Sequence, residues 1–434
     1  MMATPETGLI GVGILLLLLL FGVPIGAALG LVGLGGLTLV LGLEPALIKA
    51  GDLVLETLTR YELGTLPLFM LMAHLCFSSD ASRDLFDAAA RWIGHRRGGL
   101  ALASVAGCAG FGSINGSSLA TAATIGLVAI PEMRRHGYSD ALATGAVAAG
   151  GTLGQMIPPS GALIVFGIIA QQSIGTLFTA AIVPGLSQAL LYMVTISLLV
   201  RWRPALAPQM PKADWPTRWA ALGKVADILV LMLVVTGGIV VGLFTPSEAA
   251  SVGAAGALAI SLWRRRLSWS VLYHALEETM KTSGLIYVVI IGTLIFSVFI
   301  SITGLADAAG TLITGFDGGR TATIMLMAVF LLVLGSLLDG LALILIATPI
   351  LLPVINSLGL SPIWFGIFIV RAAEIGFIHP PMGMNLYVIQ GIAPDVSLGR
   401  IFRGVLPFLA ADFLHMFLLI LFPALALALP MWLA

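Results

Sequence analysis

Gly150-Gly151-Thr152-Leu153-Gly154-Gln155-Met156-Ile157-Pro158-Pro159-Ser160 and Glu374-Ile375-Gly376-Phe377-Ile378-His379-Pro380-Pro381-Met382-Gly383-Met384-Asn385 are the stretches on which the reading of this chain turns. Each sits inside an apolar run, residues 138–170 and 361–392, and about 20 apolar residues suffice to cross a bilayer. Each run is nevertheless interrupted. Proline removes a backbone donor and frees a carbonyl one turn earlier, and glycine permits a sharp turn. Interrupted backbone at bilayer depth is tolerated only where protein buries it or where it lines a water-filled cavity. The two stretches therefore predict two broken crossing helices.

They also hold the chain's only Pro-Pro pairs, 222 residues apart. Pro24 and Pro246, Pro131 and Pro353, Gly137 and Gly359, Gly154 and Gly376, and Gly161 and Gly383 keep the same offset of 222. Pro184 and Pro407 are 223 apart, and Asn115-Gly116 and Asp339-Gly340 are 224 apart. This ordered punctuation predicts an internal repeat, with halves at 1–202 and 224–434 and a proline-bearing, charged linker at 203–223. Two further apolar stretches, 98–130 and 321–353, are broken by Gly112-Ser113-Ile114-Asn115-Gly116-Ser117-Ser118 and by Gly335-Ser336-Leu337-Leu338-Asp339-Gly340. Each piece is too short to span. They read as re-entrant helical hairpins, the second reaching 310–356 with its flanks, whose tips stop near mid-membrane.

Composition agrees with a membrane setting. Of the 434 residues 59% are hydrophobic and 10% charged, against about 25% charged in soluble domains. The mean hydropathy is +1.07. Too few polar residues exist to cover a water-facing surface, which excludes a soluble enzyme and a disordered chain. Lys+Arg 21 equals Asp+Glu 21, so no basic excess suggests nucleic acid as a partner. Long apolar runs exclude a β-barrel. The class is an all-α polytopic membrane protein in a lipid bilayer. The remaining spans read as 9–26, 28–43, 63–79, 176–200, 225–243, 247–263, 284–303 and 404–430, and 44–62 and 268–283 read as interfacial helices. Scaffold helices then occupy 1–80 and 224–303, and each half closes on one helix, 176–202 and 402–432. Cys76 and Cys108 lie in apolar runs and read as inert.

Lys and Arg favour the cytoplasmic side near span ends. Arg134 and Arg135 follow the first hairpin, whereas the matching segment 354–362 has no basic residue. After the broken helices the bias reverses: 171–178 has none, and its counterpart carries Arg400 and Arg403. The linker and Arg264-Arg265-Arg266 also read as cytoplasmic. The halves are thus expected to be inverted, with the first hairpin entering from the cytoplasm, the second from outside, and both termini outside.

Inverted repeats with discontinuous helices suit secondary transport, because helix ends at mid-membrane present N–H groups to anions and C=O groups to Na⁺. One co-transported Na⁺ site per half is expected where a hairpin tip meets a crossing. Ser113, Asn115, Gly151, Gly154 and Pro158 frame the first, and Asp339, Glu374, Gly376, Pro380 and Asn385 the second, largely through backbone carbonyls. No organic cofactor is expected. Ser113, Asn115, Gly116, Ser117, Ser160, Asp339, Arg371, His379 and Asn385 are candidates for the substrate. Intramembrane Asp339 and Glu374 are costly in lipid and read as functional. Arg371, three residues before Glu374, shares its helix face and either neutralises it or meets a substrate carboxylate.

These motifs carry a family resemblance. Gly112 through Ser118 with Ala120-Thr121-Ala122, Ile130-Pro131-Glu132-Met133, Gly150 through Ser160, Ile182-Val183-Pro184-Gly185, Asp339-Gly340, Thr348-Pro349, Trp364-Phe365-Gly366 and Glu374 through Leu386 together resemble the large membrane subunit of TRAP (tripartite ATP-independent periplasmic) transporters, of the dicarboxylate/sialic-acid permease type. The resemblance spans essentially the whole chain. It implies an elevator-type, Na⁺-coupled importer of organic acid anions in a bacterial inner membrane, of the ion transporter superfamily kind. A small membrane subunit of about four helices and a periplasmic substrate-binding protein would be its partners. His379-Pro380-Pro381 stands where the family often has Thr-Pro-Pro, and Ala372 where it often has Asn. A channel is a further reading, though hairpins at mid-membrane suit occluded binding better than an open pore, and two rivals stand nearer. One is a stand-alone Na⁺/carboxylate symporter; the other is an intramembrane hydrolase pairing Ser113, Ser117 or Ser160 with His379.

Overall fold

The structure, a computed structural model, describes residues 4–314 and 319–433. Residues 315–318 of the expected hairpin 310–356, and the terminal residues 1–3 and 434, lie outside the described residues. Every regular element among the described residues is helical. In chain order these are α1 (Pro5–Leu20), α2 (Ile25–Leu41), α3 (Leu43–Thr59), α4 (Thr65–Phe77), α5 (Ala81–Ile93), α6 (Gly99–Asn115), α7 (Ser118–Arg135), α8 (Asp140–Met156), α9 (Gly161–Ala170) and α10 (Ile174–Trp202). There follow α11 (Trp215–Val240), α12 (Pro246–Trp263), α13 (Trp269–Thr303), α14 (Leu305–Thr314), α15 (Gly319–Gly335), α16 (Gly340–Ser357), α17 (Pro362–Gly376), α18 (Met384–Ile392), α19 (Leu398–Leu421) and α20 (Ala424–Leu433). Six helical segments are long and apolar enough to cross a membrane, or seven if the bent pair Tyr61–Phe77 and Ala81–Ile93 is one span. The chain is a multi-pass membrane protein.

Local chemistry fixes where helices begin. The side chains of Ser117, Ser139, Ser160, Ser173, Thr245, Ser268, Asp339 and Ser361 each accept a bond from a backbone N–H in the first turn that follows. Those donors have no intrahelical partner. Within lipid each unsatisfied group is expensive, so these caps matter more here than on a wet surface.

Packing is set largely by small residues. α2 lies along α13, and an added Cβ on Gly33 would meet the backbone of Phe296 at 2.6 Å. α4 packs on α12 and α13. α6, α7, α8 and α19 form a second group, with α10 and α17 against it and α16 packed on α9, α14 and α17. Lipid offers no hydrophobic drive between helices, so close approach and dispersion do this work. At one end of the bundle Arg134 bonds Asp140 and Asp395, and Arg400 reaches Asp140 at 3.1 Å. At α5, Arg264 gathers Asp84 and Asp227, both at 2.7 Å.

Three boundaries differ from expectation. Residues 268–283 and 284–303 are not an interfacial helix and a separate span but one 35-residue helix, α13. No proline or glycine pair interrupts it, and helix propagation continues through the charged turn Glu277–Lys281. The run 404–430 is instead two helices, because Pro423 cannot continue α19. The amphipathic α5 has no counterpart among the expected spans; its charge density hid it from a reading based on apolar length.

Candidate functional site

The first break places α6 and α7 end to end with the α8–α9 crossing. α6 ends at Asn115 and α7 begins at Ser118, with Gly116 between them at φ 63. This left-handed conformation favours glycine, and a Cβ there would also meet the carbonyl oxygen of Pro159 at 2.7 Å. Asn115 holds the turn. Its Oδ1 accepts from Ser117 N at 2.7 Å, and its Nδ2 donates to Thr121 Oγ1 at 3.0 Å. Gly154 of α8 sits against the far side of the tip, where a Cβ would meet Thr121 Oγ1 at 2.5 Å and Ser117 O at 2.7 Å. Gly151 packs likewise on Ala122. The tip and the crossing therefore touch backbone to backbone.

The second break is built in the same manner. α15 ends at Gly335 and α16 starts at Gly340. Asp339 caps α16, accepting from Leu341 N at 2.8 Å and Ala342 N at 3.1 Å. Gly376, at the end of α17, meets Gly335 so closely that a Cβ would collide with its carbonyl oxygen. Both Pro158-Pro159 and Pro380-Pro381 are cis.

A cavity of about 450 Å³ lies between the two tips. Asn115, Gly116, Ser117, Ser118, Gln155 and Pro159 line it from one side, and Asp339, Leu341, Phe377 and Met384 from the other. Ile25, Phe69, Met70, Thr282, Ile286 and Ile290 of α2, α4 and α13 close it. The N-terminal ends of α7 and α16 both open onto it; the Asp339 carboxylate already answers the second, and the first favours negative charge. Asp339 is its one ionisable lining residue among the described residues. A larger cleft of about 660 Å³ opens beside Arg60, Gln171 and Thr245 and holds none of the residues nominated from sequence.

The structure thus brings Asn115, Gly116, Ser117 and Asp339 together, with Gly151, Gly154 and Gly376 directly behind the tips. Other nominees lie elsewhere. Ser113 Oγ donates to Gly110 O at 2.8 Å and faces Met232. Ser160 Oγ donates back to Gln155 O. The Pro158 carbonyl accepts from Thr236. Pro380 is exposed, and His379 is half-buried edge-on to Phe413, with ring centroids 6.1 Å apart. The three serines all bond locally and none bonds His379, so the hydrolase arrangement is absent among the described residues.

Asn385, expected at the second site, is not among the residues that line the cavity. Its Nδ2 donates to Ser118 Oγ and Ala148 O, both at 2.9 Å. It stitches α18 to α7 and α8 of the first half. Arg371 and Glu374 pair with one another, the neutralising alternative that their spacing raised. Both are 0% exposed and neither lines the cavity. Arg371 Nη1 bonds Glu374 Oε2 at 2.8 Å, and Nη2 bonds Asp412 of α19. Asp412, also 0% exposed, was missed from sequence. An acidic residue inside the run 404–430 was the available signal, since intramembrane charges need partners.

The family description "Tripartite ATP-independent periplasmic transporter, DctM component" matches residues 12–425. The chain is 34% identical over 403 residues to the C4-dicarboxylate TRAP transporter large permease protein DctM of Pseudomonas aeruginosa, covering 92% of this chain and 94% of that protein. It is 30% identical to the sialic acid TRAP transporter large permease protein SiaM of Vibrio cholerae, covering 95% and 96%. It is 33% identical to the isethionate TRAP transporter permease protein DctMQ of Oleidesulfovibrio alaskensis, covering 92% of this chain but 62% of that protein. Its fold is similar to the solved YdaH transporter of Alcanivorax borkumensis, with a TM-score of 0.55 at 16% identity, covering 98% of each chain.

Proposed function

The chain belongs to the DctM-component family of TRAP transporters, a family of permeases and not enzymes, and from that premise we propose that it is the large permease subunit of a Na⁺-coupled importer of organic acid anions. The small membrane subunit and a periplasmic binding protein complete the system in a bacterial inner membrane. The cavity that joins Asn115, Gly116 and Ser117 to Asp339 carries this reading. The N-terminus of α7, capped only by the neutral Ser117, suits the acid group of a carboxylate or related anion, the class shared by the names of the relatives.

Na⁺ is the coupling ion in this reading. The described residues hold no group of three or more His, Cys, Asp or Glu side chains suited to a metal ion. In this reading the cation at each break is held by carbonyl and neutral side-chain oxygens, with Asp339 adding charge at the second. Gly151 and Gly154 at one break and Gly376 at the other let the tips approach closely enough for carbonyls to converge.

Alternating access proceeds by an elevator movement of inverted halves. Two contacts support opposite entry of the hairpins. The C-terminal end of α7 is tied through Arg134 to Asp140 at the start of α8. Leu352 and Pro353 of α16 instead share a cavity with Ile169, at the far end of the same crossing. The cavity wall from α2, α4 and α13 is the static side against which the tips slide.

The test is reconstitution with the small subunit and binding protein in liposomes, followed by uptake of labelled organic acids. Uptake driven by an imposed Na⁺ gradient is expected. Equal uptake without Na⁺ defeats the coupling, and full uptake by this chain alone defeats the tripartite assignment.

A further inference from the structure

The two tips present different chemistry to the cavity between them. At the first, Ser117 Oγ accepts from Ala120 N and the Ser117 carbonyl accepts from Thr121 N. The first-turn N–H groups of Ser118 and Leu119 meet no acceptor among the described residues, and both residues line the cavity. Gln155 lines it beside them, is only 5% exposed, and has its Oε1 buried without a partner. At the second tip the donors are already taken. Asp339 Oδ1 accepts from both Leu341 N and Ala342 N. A carboxylate of the chain itself thus fills the place that is open to a ligand's acid group at the first tip.

Between the tips the wall is apolar. Phe69 of α4, Ile286 and Ile290 of α13, Leu341 and Leu345 of α16, and Phe377 all line it. A second acid group on the ligand would lie against these side chains or beside Asp339. Against the wall, its charge has no partner. Beside Asp339, two carboxylates would share one monovalent cation. Like charges about 6 Å apart, at an effective dielectric near 20, oppose one another by about a hundredfold in affinity. A hydrocarbon body on the same wall instead gains about fourfold per buried methylene.

We propose that the cavity selects organic acids with one carboxylate and an apolar, branched or aromatic body, and that it excludes dicarboxylates. This rests on the reading of the cavity as the organic-acid site and names the substrate class within it. The Ser118 and Leu119 N–H groups hold the acid group, the Gln155 amide adds a side-chain donor, and the apolar wall takes the body. The volume of about 450 Å³ falls within the range of about 300–1,000 Å³ usual for small-molecule sites.

The experiment is ligand protection against thermal denaturation of the large and small subunits together in nanodiscs, with Na⁺ present. The binding protein is left out so that its own selectivity does not enter. Butanoate, hexanoate and 3-phenylpropanoate are compared with succinate and hexanedioate, the dicarboxylates that match the first two in chain length. Hexanoate is expected to bind about tenfold tighter than butanoate, and at least tenfold tighter than hexanedioate. Phe69→Ala and Ile286→Ala are expected to shrink the ratio of hexanoate to butanoate affinity, which a merely structural role would leave alone. If either variant is recovered unfolded, the wild-type series decides. Dicarboxylates that bind as well as their matched monocarboxylates, affinity indifferent to chain length, or a ratio unchanged in both variants overturns this inference alone. No protection by any of these acids in Na⁺ overturns the reading of the cavity as an organic-acid site, and equal protection without Na⁺ overturns the coupling.

Discussion

Replacing Arg371 by methionine leaves Glu374 and Asp412, both 0% exposed, without the one cation that pairs with them among the described residues. Removing one member of a buried ion pair costs about 3–5 kcal/mol, and this one side chain serves two pairs. At about 1.4 kcal/mol per tenfold, the folded population falls by roughly a hundredfold to several thousandfold. Arg371→Lys is intermediate, because one ammonium cannot present the planar fork that bonds two carboxylates. The triple substitution Arg371→Met, Glu374→Gln, Asp412→Asn removes every charge together and recovers most of the loss, since replacing a whole buried ion set is often neutral or stabilising. The assay is monodisperse yield and thermal denaturation in detergent, followed by uptake for whatever folds. If Arg371→Met is as heat-stable as wild type and loses only uptake, Arg371 meets the substrate and the account of the cluster is wrong.

Asp339→Ala removes the α16 cap, worth about 0.5–2 kcal/mol, and is expected to abolish uptake while still inserting. Asp339→Asn keeps the cap but loses the charge, so normal uptake in Asn would reduce Asp339 to a cap. Asn385→Ala strands Ser118 and the Ala148 carbonyl, a loss of about 1–3 kcal/mol readable as a lowered melting temperature; an unchanged one would deny the stitch between halves. Gly376→Ala forces α17 off Gly335 and is expected to abolish uptake without altering surface expression, as cysteine labelling can verify. Asp395 lies outside the membrane segments, and the hydrogen bond and charge of Arg134 hold its carboxyl below the usual range. A carboxyl lowered on folding stabilises above its unfolded pKa of about 3.9 and loses that contribution as pH falls through the lower folded value. Hydrogen exchange over 393–397 is therefore expected to be steady from neutral pH to about pH 5, corrected for intrinsic rates, and to rise only in stronger acid. Asp395→Asn should show the raised exchange already at neutral pH.

Much of this was legible in one dimension. Apolar run length and the scarcity of charge dictate membrane helices, because lipid leaves the backbone no other way to satisfy itself. Proline and glycine act on their own backbone, so Gly116, Pro158-Pro159 and Pro380-Pro381 announced the breaks in place, and the order of those motifs carried the family. The limits appeared where length alone was used, at α5 and at the 35-residue α13.

The destination of side chains was decided only by tertiary packing. Spacing puts Arg371 and Glu374 on one face of α17 but does not say what that face meets. α19 supplies Asp412, 41 residues away from Arg371, and this places Arg371 at the centre of a buried cluster. Asn385 sits on the second half yet serves the first through Ser118, 267 residues distant. A backbone break is a local property and is written where it occurs, whereas a buried charge or amide is placed by the requirement for a partner, and the partner comes from whichever helix the fold brings beside it.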